Sequence, residues 1–219
     1  MTPGSADPVG IPSTSVSERL RDDGPFKRPA DRGLSPVPHR SVARPGAALC
    51  PTRAKTSAAS HGVIACSDAR IDPQTIFDAA PGDLFVIRNV AGLVPPYAPD
   101  GGCHGTSAAL EYAVKILKVR RIVVLGHAKC DGVHALIHGP LRNARDFLDP
   151  WMDIAEPVMW PMPEPDSGEA LEMAVEDAVL ALSLSNLRTF PWIRDGETAG
   201  HLALTAWRFD ISTGELRTT

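Results

Sequence analysis

Two short β-branched runs in this chain each end on potential metal ligands. Val63-Ile-Ala65 leads into Cys66-Ser-Asp-Ala-Arg70, and Ile122-Val-Val-Leu125 leads through Gly126 into His127-Ala-Lys-Cys130. Such runs read as buried strands. In an open parallel sheet, ligands gather outside the carboxyl ends of the strands. A fold that sets the two strands in one sheet therefore delivers two thiols and an imidazole to the same edge.

Each residue taken singly has an ordinary explanation. Cysteine is among the most buried residue types and serves as a small core side chain. Asp68 and Arg70, two residues apart in a turn, read equally as a loop ion pair. The set as a whole is more specific, because His127-x-x-Cys130 is a short chelate on one turn of backbone. Two thiolates and an imidazole are the donors of a zinc site that keeps a fourth position for water, the mark of a catalytic rather than a structural zinc.

The intervening sequence agrees with a parallel sheet. Asp72-Pro73 offers an N-cap and a proline at the first helical position, and the segment to Ala80 stops at Pro81-Gly82, which predicts a short helix. Leu84-Phe-Val-Ile87 reads as a further strand. Between Thr106 and Leu117, apolar residues at Ala109, Leu110, Ala113, Ile116 and Leu117 mark one helical face. Strand, helix, strand in this order predicts an α/β fold, with a mostly parallel sheet flanked by helices. Pro150 to Pro165 reads as a linker, Glu169 to Leu187 as an amphipathic helix, and Leu202 to Phe209 as the final long strand.

These motifs resemble the β-class carbonic anhydrases, in their plant-like branch, as found in bacteria. The resemblance rests on Cys66-Ser-Asp-Ala-Arg70, Gly82-Asp-Leu-Phe-Val-Ile-Arg-Asn-Val-Ala91, Leu93-Val-Pro-Pro-Tyr97, Gly105-Thr106, Leu110-Glu-Tyr-Ala-Val114 and Gly126-His-Ala-Lys-Cys130. It continues to the end of the chain in Ser185-Asn-Leu-Arg188, Trp207-Arg-Phe-Asp-Ile211 and Thr213-Gly-Glu-Leu216. It implies a lyase that interconverts carbon dioxide and bicarbonate, with Zn(2+) on Cys66, His127 and Cys130, built as a homodimer or higher homo-oligomer.

The chemistry of the residues is compatible with that expectation. Carbon dioxide is a weak electrophile and needs hydroxide, which a metal can furnish by acidifying water. Two thiolates cancel the charge of the metal and blunt that effect, so a helper is expected. Arg70 can hold Asp68 ionised, and Asp68 can accept the proton of the attacking oxygen and orient it. The resemblance assigns this pair that role, and it also makes Asp68 a possible fourth metal ligand. By the same resemblance, Phe85, Val90 and Tyr112 line an apolar pocket for carbon dioxide, although each reads equally as core.

Two positions depart from the family pattern. Asp131 stands directly after Cys130, where the family has a glycine whose N–H faces bicarbonate. A glutamine of the plant-like branch, some eight or nine residues before the first cysteine, has no counterpart. The only glutamine here is Gln74, after Cys66; Phe26 to Pro36 resembles the family's lead-in to its first strand, with Leu34 where the glutamine would fall, and some two dozen unrelated residues then intervene. A second reading therefore stays open: a catalytically impaired, zinc-stabilised scaffold or bicarbonate-binding protein of the same fold. Hydration of a related substrate such as carbon disulfide is a third.

Residues 1–60 differ in character from residues 61–219, the zinc-binding domain. They hold nine of the 21 prolines and nine Lys or Arg against five Asp or Glu, so a +4 arm precedes a −8 domain in a chain of net −4. An irregular, loosely attached arm is expected. Its charge reads as a solvated tail rather than a nucleic-acid contact. No run approaches the roughly 18 apolar residues of a membrane span, and no apolar leader opens the chain, so a cytoplasmic protein without membrane contact is expected. In a reducing compartment Cys66 and Cys130 serve metal, and Cys50 and Cys103 are free thiols.

Overall fold

The computed structural model describes residues 59–139, 144–160 and 168–219. The arm expected over residues 1–60 lies outside them except for Ala59 and Ser60, and Leu34 and Cys50 lie outside with it. One sheet organises the rest in the order β2-β1-β3-β4-β5, from β1 (His61–Cys66), β2 (Leu84–Asn89), β3 (Arg121–His127), β4 (Ala203–Phe209) and β5 (Leu216–Thr218). The first four strands are parallel and β5 returns antiparallel on β4. The mostly parallel α/β architecture read from the sequence is the one observed.

Alternation along β1 and β3 divides the core. Ile64, Ile122 and Val124 face one layer with Leu110, Leu180, Leu187 and Phe190. Val63, Ala65, Val123 and Leu125 face the other with Ile71, Phe77 and Trp207. Each of these seven side chains from β1 and β3 is at most 1% exposed. Burying a large aliphatic side chain is worth about 1.5–3 kcal/mol, so the two central strands are firmly held. Ala65 pairs beside Leu125, and β1 and β3 therefore end within a residue of the same level.

The helices are α1 (Pro73–Ile76), α2 (Gly105–Glu111), α3 (Asp131–His138), α4 (Leu148–Met152), α5 (Gly168–Thr189) and α6 (Pro191–Thr198). Asp72 caps α1 by accepting a hydrogen bond from Thr75 N, with Pro73 following. The helix makes one turn, not the run to Ala80 that its sequence suggests, because Phe77 turns into the core and Asp78 takes φ 50°. Beyond α2 the backbone widens into a π-helical turn over Tyr112–Ile116, a feature that apolar periodicity cannot reveal.

The described part of the proline-rich stretch, residues 150–160, is not the linker its composition suggests. Pro150 lies within the first turn of α4, where a missing N–H costs no helical bond. The chain continues as a 3-10 helix, Asp153–Met159, that includes Pro157. Ala155 is fully buried there, and the segment packs with Leu93, Val175 and Val179. Trp151 Nε1 donates to Val90 O at 2.9 Å, tying this strap to the end of β2. Residues 161–165 lie outside the described residues.

Candidate metal centre

Cys66 closes β1 and His127 closes β3, and the turn beyond His127 brings back Cys130 at the start of α3. The ligand atoms of the three residues lie within 4.8 Å of one another, and all three side chains are buried. Cys66 Sγ and Cys130 Sγ are 3.9 Å apart. Two sulfurs on tetrahedral zinc, each about 2.3 Å from the metal, are separated by about 3.8 Å.

The imidazole is poised in the same sense. His127 Nδ1 lies 3.0 Å from Ala128 O, a contact that requires the proton on Nδ1. Nε2 is then a lone-pair donor, and it is buried without a hydrogen-bond partner. An orphaned acceptor facing two thiols is costly unless it receives a cation. Donor set, spacing and orphaned nitrogen all fit zinc.

The two thiols titrate against each other. Hydrogen bonding from Cys130 holds Cys66 well below the ordinary thiol range, despite its burial. The reciprocal interaction with Cys66, together with burial, pushes Cys130 up, opposed in part by the Val133 and Gly132 amides at the head of α3. One proton thus leaves readily, and a nearby cation is needed to remove the second.

Asp68 stands at the rim of this group. Its Oδ1 accepts from Arg70 N at 2.8 Å and Arg70 Nε at 2.9 Å, and its Oδ2 accepts from Arg70 Nη2. The Arg70 guanidinium accordingly holds the Asp68 carboxyl far below the usual carboxylate range. Asp68 Oδ2 is 4.0 Å from His127 Nε2, so the carboxylate faces the ligand group while engaged by arginine. Arg70 also donates to Lys129 O at 3.0 Å, linking the loops after β1 and β3.

Several supporting residues escaped the sequence reading. Arg88, at the end of β2, donates to Cys66 O at 3.0 Å and to Asp68 O and Ile71 O at 2.6 Å each, clamping the loop that carries Asp68. Glu176, buried on α5, accepts from Lys129 N at 2.7 Å and from Arg208 Nε at 2.8 Å. Lys129 sits at φ 56°, a conformation that costs a non-glycine residue about 1–2 kcal/mol. The only sequence signals were a basic residue at a strand end and one acid on a buried helical face.

The remaining candidates are distributed unevenly. Asp131 is exposed at the first position of α3, and its charge acts on Arg70. A cavity of about 220 Å³ has Cys130, Asp131, His134 and Glu172 in its wall. Val90 lies against Gly132, whose missing Cβ would come within 3.4 Å of Val90 Cγ1. Phe85 and Tyr112 pack on each other with ring centroids 5.9 Å apart. Phe85 is level with Gly62, four positions back along β1 from Cys66, or about 13 Å at 3.3 Å per strand residue. Within one chain this aromatic pair does not reach the ligand group. Cys103 is a free, exposed thiol.

Among the described residues, no helix is long and apolar enough to cross a membrane. A family model described as carbonic anhydrase matches residues 62–216. A carbonic anhydrase of Pseudomonas aeruginosa is 38% identical over 156 residues, 70% of this chain and 70% of that protein. A carbonic anhydrase of Synechocystis sp. is 34% identical over 168 residues, 72% of this chain, and the chain spans only 60% of that protein's length. Among solved structures, one from work on two tetrameric β-carbonic anhydrases of Sordaria macrospora superposes with a TM-score of 0.66 at 28% identity, over 74% of this chain and 80% of that one.

Proposed function

The chain belongs to the β-carbonic anhydrase family, and from that membership we propose that it hydrates carbon dioxide reversibly to bicarbonate and a proton with zinc held by Cys66, His127 and Cys130. The observation that carries this reading is the buried Cys-His-Cys group with an unpartnered His127 Nε2, faced by a carboxylate locked to arginine. When bound, zinc supplies a Lewis acid that makes water acidic enough to furnish hydroxide near neutral pH.

The protein's own residues do the rest. Asp68 accepts a hydrogen bond from the attacking oxygen on a carboxylate oxygen, which aims that oxygen's free lone pair at carbon dioxide. Arg70 keeps that carboxylate ionised and unable to rotate freely. Arg88 fixes the backbone of the same loop through three carbonyls. As the family relatives suggest, the chain works as a homo-oligomer of at least two copies. Tyr112 and Ile116 are 46% and 60% exposed in the single chain, an apolar surface suited to burial against a second copy.

Asp131 favours a second reading, a catalytically impaired zinc-stabilised scaffold or bicarbonate-binding protein, because it puts a negative charge that acts on Arg70 where the family pattern has a glycine. Stopped-flow measurement of carbon dioxide hydration on zinc-loaded full-length protein separates the two. Turnover well above the uncatalysed rate, lost in Cys66→Ser and Cys130→Ser, supports the enzyme. A zinc-loaded protein without turnover that still binds bicarbonate supports the alternative.

A further inference from the structure

A second group of metal-ligand side chains lies outside the centre described above. His134 and His138 are one turn apart on α3, with ring centroids 4.1 Å from each other. Glu172, in the second turn of α5, places Oε1 4.0 Å from His138 Nε2. The ligand atoms of the three residues all lie within 4.8 Å of one another. We propose that His134, His138 and Glu172 form a surface site for a divalent transition-metal cation of the zinc, nickel and copper type, distinct from the Cys66, His127 and Cys130 centre.

Two histidines four residues apart on a helix present their nitrogens to one point, the spacing by which a single helix grips zinc. A carboxylate from a neighbouring helix completes a set of three, leaving further positions to water. Ligand atoms around tetrahedral zinc are separated by about 3.3 Å, so closing from the observed distances takes only side-chain rotation. All three residues are partly or fully open to solvent, so that rotation meets little packing resistance. The cavity of about 220 Å³ borders His134 and Glu172 and leaves room for water on the metal. Imidazole and carboxylate together suit zinc, nickel and copper rather than calcium or magnesium.

The position of the site gives it a consequence for the first. Cys130 is the N-cap of α3, and His134 N donates to Cys130 O at 2.8 Å. α5 carries Glu176 one turn beyond Glu172, and Glu176 holds the turn between His127 and Cys130. A cation bridging α3 to α5 therefore braces both elements that shape the first centre.

The test is equilibrium dialysis of the full chain against zinc, with metal counted per chain, repeated for His134→Ala/His138→Ala and for Glu172→Gln. Wild-type protein should bind a second equivalent at micromolar free zinc, and each variant should weaken that equivalent at least tenfold while keeping the first. Copper(II) added to zinc-loaded protein should show nitrogen hyperfine structure from imidazole in its electron paramagnetic resonance spectrum, and the double variant should lose it. Persistence of the second equivalent in both variants, or no second equivalent in wild-type protein at 100 µM free zinc, overturns the proposal. Because the substituted side chains are on the surface, circular dichroism should be unchanged, and Glu172→Gln gives an independent reading if the double variant misfolds.

Discussion

Glu176 Oε1 accepts a hydrogen bond from Lys129 N at 2.7 Å, and its other oxygen is held by Arg208. One buried carboxylate thus holds the left-handed residue between two candidate ligands and neutralises the arginine at the end of β4. Both side chains of the ion pair are at least nine-tenths buried. Breaking a buried pair by removing one partner costs about 3–5 kcal/mol. Glu176→Ala should lower the unfolding free energy by that order in a denaturant titration and reduce zinc content. Glu176→Gln, which can still accept from Lys129 N, should lose stability but keep more metal than Glu176→Ala.

Asp68→Asn should keep about one zinc per chain yet lose carbon dioxide hydration by about 10²-fold or more, the order of loss when a reacting atom is misoriented. Arg70→Ala should lose a similar factor and, by releasing Lys129 O, also loosen the loop, seen as faster amide exchange around Lys129. Stopped-flow kinetics and elemental analysis on the same samples check both. Loss of metal in step with activity in Asp68→Asn would instead make Asp68 a ligand.

Acid should strip the metal from the Cys66, His127 and Cys130 centre. Both thiols must lose protons to bind zinc, and Cys130 holds its proton strongly, so zinc retention should fall as pH falls and rise again on return to pH 8. The Asp68 contribution has a separate window. Its carboxyl is depressed in the folded protein, so that contribution is fully present above the unfolded value near 4 and is lost only as pH drops below it. Dialysis in steps from pH 8 to pH 4 should therefore show zinc leaving while Asp68 is still ionised. Retention of zinc at pH 4 would contradict the thiolate assignment.

Asp131→Asn and Asp131→Gly should both tighten bicarbonate binding, read as inhibition of hydration by added bicarbonate. Asp131 is exposed, so screening reduces the repulsion, and a change of about tenfold, or 1.4 kcal/mol, is expected. Each substitution also removes an acid from the first turn of α3, at a cost of about 0.3–1 kcal/mol in stability. Recovery in Asp131→Asn identifies charge as the cause, and recovery confined to Asp131→Gly identifies bulk. Unchanged inhibition in both variants means that Asp131 points away from the product.

What the sequence disclosed follows from which signals are local. β1 and β3 are legible because continuous β-branched runs have few alternatives to burial, and Cys66, Asp68, Arg70, His127 and Cys130 are legible because each follows such a run within a few residues. Glu176 is not legible, since its partners lie 47 residues before it and 32 after it, and on α5 it reads as one more polar position. Arg88 is hidden for the same reason, because its partners are backbone carbonyls that carry no sequence identity. The strap over residues 148–159 is obscured by prolines, whose meaning depends on whether they fall in a first helical turn. His134 and His138 show their spacing openly, but only the packing of α3 on α5 supplies Glu172.

The distance along the chain between Lys129 and Glu176 also orders events during biosynthesis. A growing polypeptide contains all three candidate donors once Cys130 has been made, well before α5 exists. At that stage a cation can be chelated by sulfur and imidazole, but the turn carrying Cys130 has nothing to hold its backbone in the left-handed conformation. The geometry that distinguishes a working centre from a loose chelate is completed only when the carboxyl-terminal half has been translated and has folded back. Any cation these donors take up therefore reaches its final geometry only after α5 has folded onto the turn.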